Sequence, residues 1–270
     1  MPELPDLQVF SENLKKRILN KNISLVTVYN SRKIDTPELF CEKLTRTNIQ
    51  DIIRDGKELF FQLANGNCFS VHLMLSGKFF ITNQNDAENI KSKITSLSFD
   101  DDDAATPNGG AQAFVIADYQ GLCKVSLNPK APKAPDALSE TFTFAYFSNT
   151  LRKNAAKNIK AVLIDQYVVR GIGNAYIDEI LWKADISPES VTGKIPEQKT
   201  KDLYEAIPFI FNDAIYNIQK ISPDIISGEE RSFLRVHNPR KKFTDEGDKI
   251  IVKTVATKTT YFTEKQKLYV

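Results

Sequence analysis

The sequence predicts an α+β protein of two domains, an N-terminal β-sandwich followed by a helical domain that ends in a β-hairpin. Three observations carry this prediction. Eight short apolar or alternating runs, punctuated by turn residues, fill the first half. A segment holding Pro129, Pro132 and Pro135 then interrupts the chain. Beyond it apolar residues recur every three or four positions, until two alternating runs close the sequence.

A helix is predicted over residues 6–19, where Leu7, Phe10, Leu14 and Ile18 share one face and Pro5 stands at the entry. Strands are predicted at 23–29, 49–54, 59–63, 68–73, 78–82, 95–99, 113–118 and 124–127, with a second helix near 37–46. Their turn signals are Asn65-Gly66-Asn67, Ser76-Gly77, Pro107-Asn108-Gly109-Gly110 and Gln120-Gly121. Further helices are predicted at 159–165, 174–184 and 199–220, and a hairpin from 249–255 and 259–262. The expected boundaries are a sandwich over 1–130, a linker over 131–145, a helical domain over 146–230 and the hairpin region over 231–270.

The chain has 270 residues, with two His and three Cys, and its 41% apolar fraction suffices for a core and excludes global disorder. No run approaches the ~18 apolar residues of a membrane span. Met1-Pro2-Glu3-Leu4 lacks the features of a secretory signal, so a cytoplasmic protein is expected. Cys41, Cys68 and Cys123 are too widely spaced for a disulfide framework or a zinc site. The net charge of +2 conceals an asymmetry. Residues 1–140 carry 16 basic against 18 acidic side chains, and residues 141–270 carry 20 against 16. The last forty residues hold ten basic and four acidic side chains, while the run Asp100-Asp101-Asp102-Asp103 pulls the first half down. A basic C-terminal region of this kind fits a polyanionic partner.

Four segments carry chemistry. Methionine is usually trimmed before a small residue, which exposes Pro2 as a secondary amine. An α-amine titrates near ~8, well below a lysine, and is a nucleophile towards carbonyl carbon. Glu3 beside it is a candidate general acid/base. Lys57 stands in a turn feeding a hydrophobic strand, where a lysine can meet phosphate. His72 precedes the Ser76-Gly77 turn. Finally, Gly171-Ile172-Gly173-Asn174 joins two predicted helices; glycines permit close backbone approach, and the helix start offers free N–H groups to an anion. Each piece alone also has an ordinary reading: an exposed terminus, a solvated lysine, a structural histidine and a packed, Asn-capped helix joint.

Together, in this order and over nearly the whole chain, they resemble the formamidopyrimidine-DNA glycosylase / endonuclease VIII family of base-excision repair enzymes. Pro2-Glu3-Leu4-Pro5-Asp6 matches the family start, Lys57 its turn lysine, and His72 through Gly77 its His-Leu-x-Met-Ser-Gly segment, with Leu75 at the Met position. Leu163 through Glu179 matches its helix–two-turns–helix signature. The resemblance implies a bifunctional glycosylase and abasic-site lyase acting as a monomer on damaged duplex DNA, which extrudes the damaged nucleotide. It implies catalytic roles for Pro2, Glu3 and Lys57, with Pro2 attacking C1′ to form a Schiff base that undergoes β- or β,δ-elimination. It further implies DNA contacts from His72, Asn174, Lys258, Lys160 and Tyr176.

The chain also departs from the family. Thr263 and Gln266 stand where the family's C-terminal Cys-x-x-Cys lies, and no cysteine follows Cys123, so a zincless hairpin finger indifferent to chelators is expected, with no cofactor. Lys258 replaces the fingertip arginine, keeping charge but losing bidentate geometry. The residues expected to fill the gap left by an extruded base are Leu75, Gln120 and Leu122, where the family often has Met, Arg and Phe. The segment 222–233 is short where the family carries a lesion-capping loop, which favours a broad range of oxidised bases. The altered gap-filling residues and lost zinc ligands also motivate an alternative, a non-catalytic protein that binds damaged or abasic DNA.

Overall fold

The computed structural model describes residues 1–100 and 112–270. Most of the acidic run and the Pro107-Asn108-Gly109-Gly110 signal lie outside the described residues. Contacts divide the chain into two units. The first comprises Met1–Pro2, Asp6–Ala131 and Ser222–Glu229; the second comprises Glu3–Pro5, Pro132–Ile221 and Glu230–Val270.

The first unit is built on two antiparallel sheets. One has the order β1 (Ile23–Val28), β6 (Lys93–Phe99), β7 (Gln112–Asp118), β5 (Gly77–Asn83). The other runs β2 (Ile49–Asp55), β3 (Glu58–Leu63), β4 (Cys68–His72), β8 (Lys124–Leu127). All eight runs read from the sequence are strands. Alternation sends Phe61 and Phe69 from one sheet, and Phe79 and Phe114 from the other, into one core. Phe61 stacks on Phe69 at 4.5 Å and meets Phe114 at 5.6 Å. Each such buried ring contributes roughly 1.5–3 kcal/mol. The first helix, α1 (Leu4–Ile18), adds Leu7, Phe10, Leu14 and Ile18, the face that periodicity selected. The helix α2 (Pro37–Leu44) matches expectation, whereas α3 (Gln84–Asn89) was not foreseen. Its polar sequence has no apolar period, and it starts because the Asn83 side chain accepts the Asp86 N–H at 2.8 Å.

The second unit contains α4 (Phe144–Lys153), α5 (Ile159–Ile164), α6 (Asn174–Lys183), α7 (Glu197–Ile221) and the antiparallel hairpin β9 (Ile250–Val255), β10 (Lys258–Thr263). The expected linker over 131–145 is not free. Ala134, Ala137 and Phe142 are buried, and the backbones of Pro135 and Ala137 bond that of Arg170 at 2.9 Å. The prolines hold an extended segment that packs on the α5–α6 connection. Expected within the helical domain, Ser222–Glu229 instead belongs to the first unit. Ile225 and Ile226 pack on the sandwich core, and Asn13 donates to the carbonyls of Pro223 and Ile225. Among the described residues no helix is long and apolar enough to cross a membrane.

Candidate functional site

In the first unit, Pro2 is buried and the Met1 ammonium lies 3.3 Å from both carboxylate oxygens of Glu229. Lys57 occupies the second position of a two-residue hairpin between Asp55 and Glu58. Gly56 precedes it with φ 61°, the left-handed conformation that hairpin turns demand. Arg54 braces the turn through Gln8 at 3.0 Å. Because Leu59 pairs with Val71, the Lys57 turn and His72 share one end of the sheet. His72 Nδ1 accepts the Met74 N–H at 3.1 Å, which leaves any ring proton on Nε2. Burial pushes the His72 imidazolium below the usual range, Lys57 adds to this, and Glu58 opposes it. His72 is therefore a neutral donor at pH 7 rather than a cation.

The three gap-filling positions also meet. Gly77 pairs with Asp118, so the β4–β5 turn carrying Leu75 and the β7–β8 turn carrying Gln120 and Leu122 leave the same end of two paired strands. A Cβ on Gly77 would lie 2.4 Å from the Leu73 carbonyl oxygen, so this turn closes only around glycine. The buried carboxylate of Asp118 accepts from the N–H groups of Gln120 at 3.0 Å and Cys123 at 2.6 Å, from Leu122 N–H and from the Ser76 hydroxyl. Sequence reasoning missed Asp118, because its role is set by turns that only folding brings to it.

The second unit places Glu3 and Asn174 together. Glu3, 4% exposed, lies over the start of α6, where its Oε1 accepts the Ala175 N–H at 3.0 Å. A carboxylate there is favoured by the helix dipole. A Cβ on Gly173 would meet Glu3 Oε2 at 2.3 Å, and one on Gly171, at φ 100°, would meet Leu4 Cδ1 at 2.5 Å. The Gly-x-Gly turn therefore admits the chain's own N-terminal segment, a purpose the sequence reading did not assign to it. Asn174 Nδ2 donates to the Thr259 carbonyl at 2.9 Å, tying the hairpin to α6, and its Oδ1 is buried with no hydrogen-bond partner. Lys258 is exposed at the start of β10, directly after the turn residues Ala256 and Thr257.

Two expected DNA contacts are corrected. Lys160 is 0% exposed: its ammonium donates to Asp178 and to Thr260 Oγ1, both at 2.7 Å. Burial pushes this ammonium below its usual range and Asp178 opposes the shift. Lys160 holds the hairpin strand to α5 and α6 and has no surface to offer DNA. Tyr176 is also 0% exposed, with Arg231 donating to its hydroxyl at 3.1 Å and lying over its ring. Asp178 and Glu179, both inside the matched segment, were not assigned roles. Asp178 also accepts from Tyr261 N–H at 2.9 Å and meets His237 Nδ1 at 2.7 Å. Glu179 accepts the N–H groups of Arg235, Val236 and His237 at 2.8–3.0 Å; burial nevertheless pushes its carboxyl above the ordinary range.

The hairpin residues do not fit a zinc ion. The Gln266 side chain accepts the Thr263 N–H at 2.8 Å and donates to the Ile186 carbonyl at 2.9 Å. An amide so engaged and a threonine supply none of the thiolate or imidazole ligands of a structural zinc site. Among the described residues no three His, Cys, Asp or Glu side chains converge as a metal site would need.

Residues 1–111 match the model of the formamidopyrimidine-DNA glycosylase N-terminal domain, and residues 134–224 match that of its H2TH domain. A formamidopyrimidine-DNA glycosylase of Ligilactobacillus salivarius is 33% identical over 218 residues, which cover 77% of this chain and 75% of that protein. Among solved structures, MutM in complex with DNA containing carbocyclic 8-oxo-G aligns with a TM-score of 0.84 at 28% identity, covering 98% of this chain and 100% of that one. The Lactococcus lactis Fpg in complex with abasic-site DNA aligns with a TM-score of 0.85 at 26% identity and the same coverage.

Proposed function

Because the chain belongs to the formamidopyrimidine-DNA glycosylase family and is a DNA glycosylase of base-excision repair, we propose that it excises oxidised bases through the Pro2 amine and then nicks the strand as a lyase. The observation that carries this reading is the placement of Glu3, next in sequence to Pro2, on the N-terminal turn of α6 against Gly173. A carboxylate fixed there cannot swing away from its neighbour in the chain.

In this mechanism the Pro2 nitrogen attacks C1′ of the damaged nucleotide and the C1′–N bond breaks, with the departing base taking up a proton. The Pro2 nitrogen gives up its proton, and the C1′–O4′ bond opens with O4′ taking up a proton. The resulting iminium on Pro2 loses a C2′ proton, so that the 3′ phosphate leaves by β-elimination. Glu3 moves protons to and from the sugar. Lys57 supplies positive charge to the phosphates. His72, a neutral donor through Nε2, and the second amide N–H of Asn174 add directional hydrogen bonds. Lys258 contributes a mobile charge without bidentate geometry. The short 222–233 segment, most of which packs on the sandwich, supports a broad range of damaged bases, oxidised pyrimidines and ring-opened purines among them. The finger folds without metal, the amide of Gln266 doing the local work of a ligand.

Borohydride trapping on an abasic-site duplex tests the chemistry. A covalent adduct is expected with the wild type and none with Pro2→Gly. Saturating binding without any adduct would replace this reading with that of a non-catalytic damage-binding protein. Activity should survive a strong chelator; its loss there would refute the metal-free finger.

A further inference from the structure

We propose that Tyr119 is a base-stacking residue, which receives the base left unpaired opposite the damaged nucleotide and holds it by its π-face. The inference rests on the glycosylase reading, since it takes for granted a duplex with one nucleotide extruded. It goes beyond that reading in assigning a role to a residue outside the three gap-filling positions.

The argument begins with the frame. Asp118 ends β7 opposite Gly77, the first residue of β5. Its carboxylate ties the β7–β8 turn to itself through the N–H groups of Gln120, Leu122 and Cys123, and to the β4–β5 turn through the Ser76 hydroxyl. Two turns are thus fixed at one end of a strand pair by a single side chain that is 6% exposed. On this frame stand Leu75, Tyr119 and Leu122, exposed by 59%, 72% and 44%. One exposed apolar residue is ordinary, whereas three on two adjoining, hydrogen-bonded turns form a patch that calls for a partner.

The chemistry of the patch selects the partner's face. Leu75 and Leu122 are aliphatic; they can enter a base step and part it, but they offer no ring. Gln120, between Tyr119 and the turn glycine Gly121, is exposed and uncharged, and its amide both donates and accepts. It can therefore turn either group towards a base edge and does not by itself fix one. Tyr119 has a flat ring on a short tether from a fixed backbone, so it loses little freedom on stacking. Every base has a π-face, so a tyrosine here binds an orphan base with little regard to its identity. The loop holds the opposite base without choosing it.

The experiment uses the full chain and a duplex with a non-cleavable tetrahydrofuran abasic site, first with 2-aminopurine opposite and then with each of the four natural bases. Wild type and Tyr119→Phe should quench the 2-aminopurine, while Tyr119→Ala should not. Tyr119→Ala should bind about tenfold or more weakly, by a factor equal within about twofold for all four bases. Thermal unfolding of Tyr119→Ala should match the wild type, because the ring lies outside the core. Wild-type affinity and quenching in Tyr119→Ala would overturn the proposal. So would a loss confined to one opposite base, which would signal edge recognition instead. Borohydride trapping on a true abasic site is read in parallel: an untrapped wild type would sink the Schiff-base chemistry, while the tetrahydrofuran duplex would still decide the role of Tyr119.

Discussion

In the first unit the carboxylate of Asp118 gathers two turns; in the second the carboxylate of Asp178 gathers helix α5, a loop and the hairpin strand β10. Both are buried, at 6% and 1% exposure, and both hold an element that the mechanism sends towards DNA. Their partners differ. Among the described residues, Asp118 is met by neutral donors, three backbone N–H groups and one hydroxyl. Asp178 is met by the ammonium of Lys160, by His237 and by one backbone N–H. A carboxylate near the surface is satisfied by dipoles, because water still reaches the turns around it. In the helical core Asp178 is offset by a counter-charge, whereas its neighbour Glu179 is met by three backbone N–H groups. The partners set what the removal of each anchor costs.

The largest expected effect follows from the buried ion pair. Lys160→Met leaves Asp178 buried without its cation and should cost about 3–5 kcal/mol in denaturant unfolding. Replacing both, as Lys160→Met with Asp178→Leu, should recover much of that loss. A single-variant cost below about 1 kcal/mol would show that the ion pair is not the anchor, and the contrast with Asp118 would fall.

Asp118→Ala should cost less, about 1–3 kcal/mol, because some of the stranded N–H groups can be hydrated. It should weaken abasic-DNA binding more than it weakens the fold. Acid sharpens the point. Burial alone would raise the Asp118 carboxyl, but the bonds from Ser76, Cys123, Leu122 and Gln120 hold it below the ordinary 3.8. Its folded form releases the proton more readily than its unfolded form, so its stabilisation is present above about pH 4 and fades as pH falls through the folded value. Asp118→Asn should therefore show a shallower loss of stability below pH 4. His72, pushed below the ordinary 6.5, adds a separate loss that begins near pH 6.5 and should persist in that variant. Equal acid limbs for wild type and Asp118→Asn would count against the lowered Asp118.

Much of this was legible before folding, for identifiable reasons. The strands of the sandwich follow from period-two alternation, and the apolar face of α1 from Leu7, Phe10, Leu14 and Ile18. Pro2, Glu3, Lys57, His72 and Asn174 were singled out because each stands in a short motif. What stayed hidden depends on distance along the chain. Glu3 meets Ala175 across 172 residues, and Lys160 meets Thr260 across 100. No local pattern reports such contacts, so Lys160 was read as a surface cation and the glycines at 171 and 173 as phosphate space. The helix α4 was obscured by the preceding prolines, which suggest a tether, whereas Ala134, Ala137 and Phe142 among and after them are buried.

The hairpin extends the comparison to its two ends. At its base the Gln266 amide bridges two backbone groups: Gln266→Ala should strand the Thr263 N–H and the Ile186 carbonyl and cost about 1–3 kcal/mol. A smaller loss would mean that water replaces the amide, and that the hairpin draws its stability from its other contacts, those of Asp178 and Asn174 among them.

Its tip is not satisfied. Ala256 and Thr257 both take left-handed backbone, with φ of 50° and 63°, where hairpins of this length ordinarily carry Asn-Gly. A β-branched residue pays the steric cost of that conformation in full. Thr257 is exposed, so no packing offsets the strain. Thr257→Gly should therefore raise stability by about 0.5–1 kcal/mol, the smallest effect here and the only gain. If the variant is instead less stable, the Thr257 side chain is holding the turn.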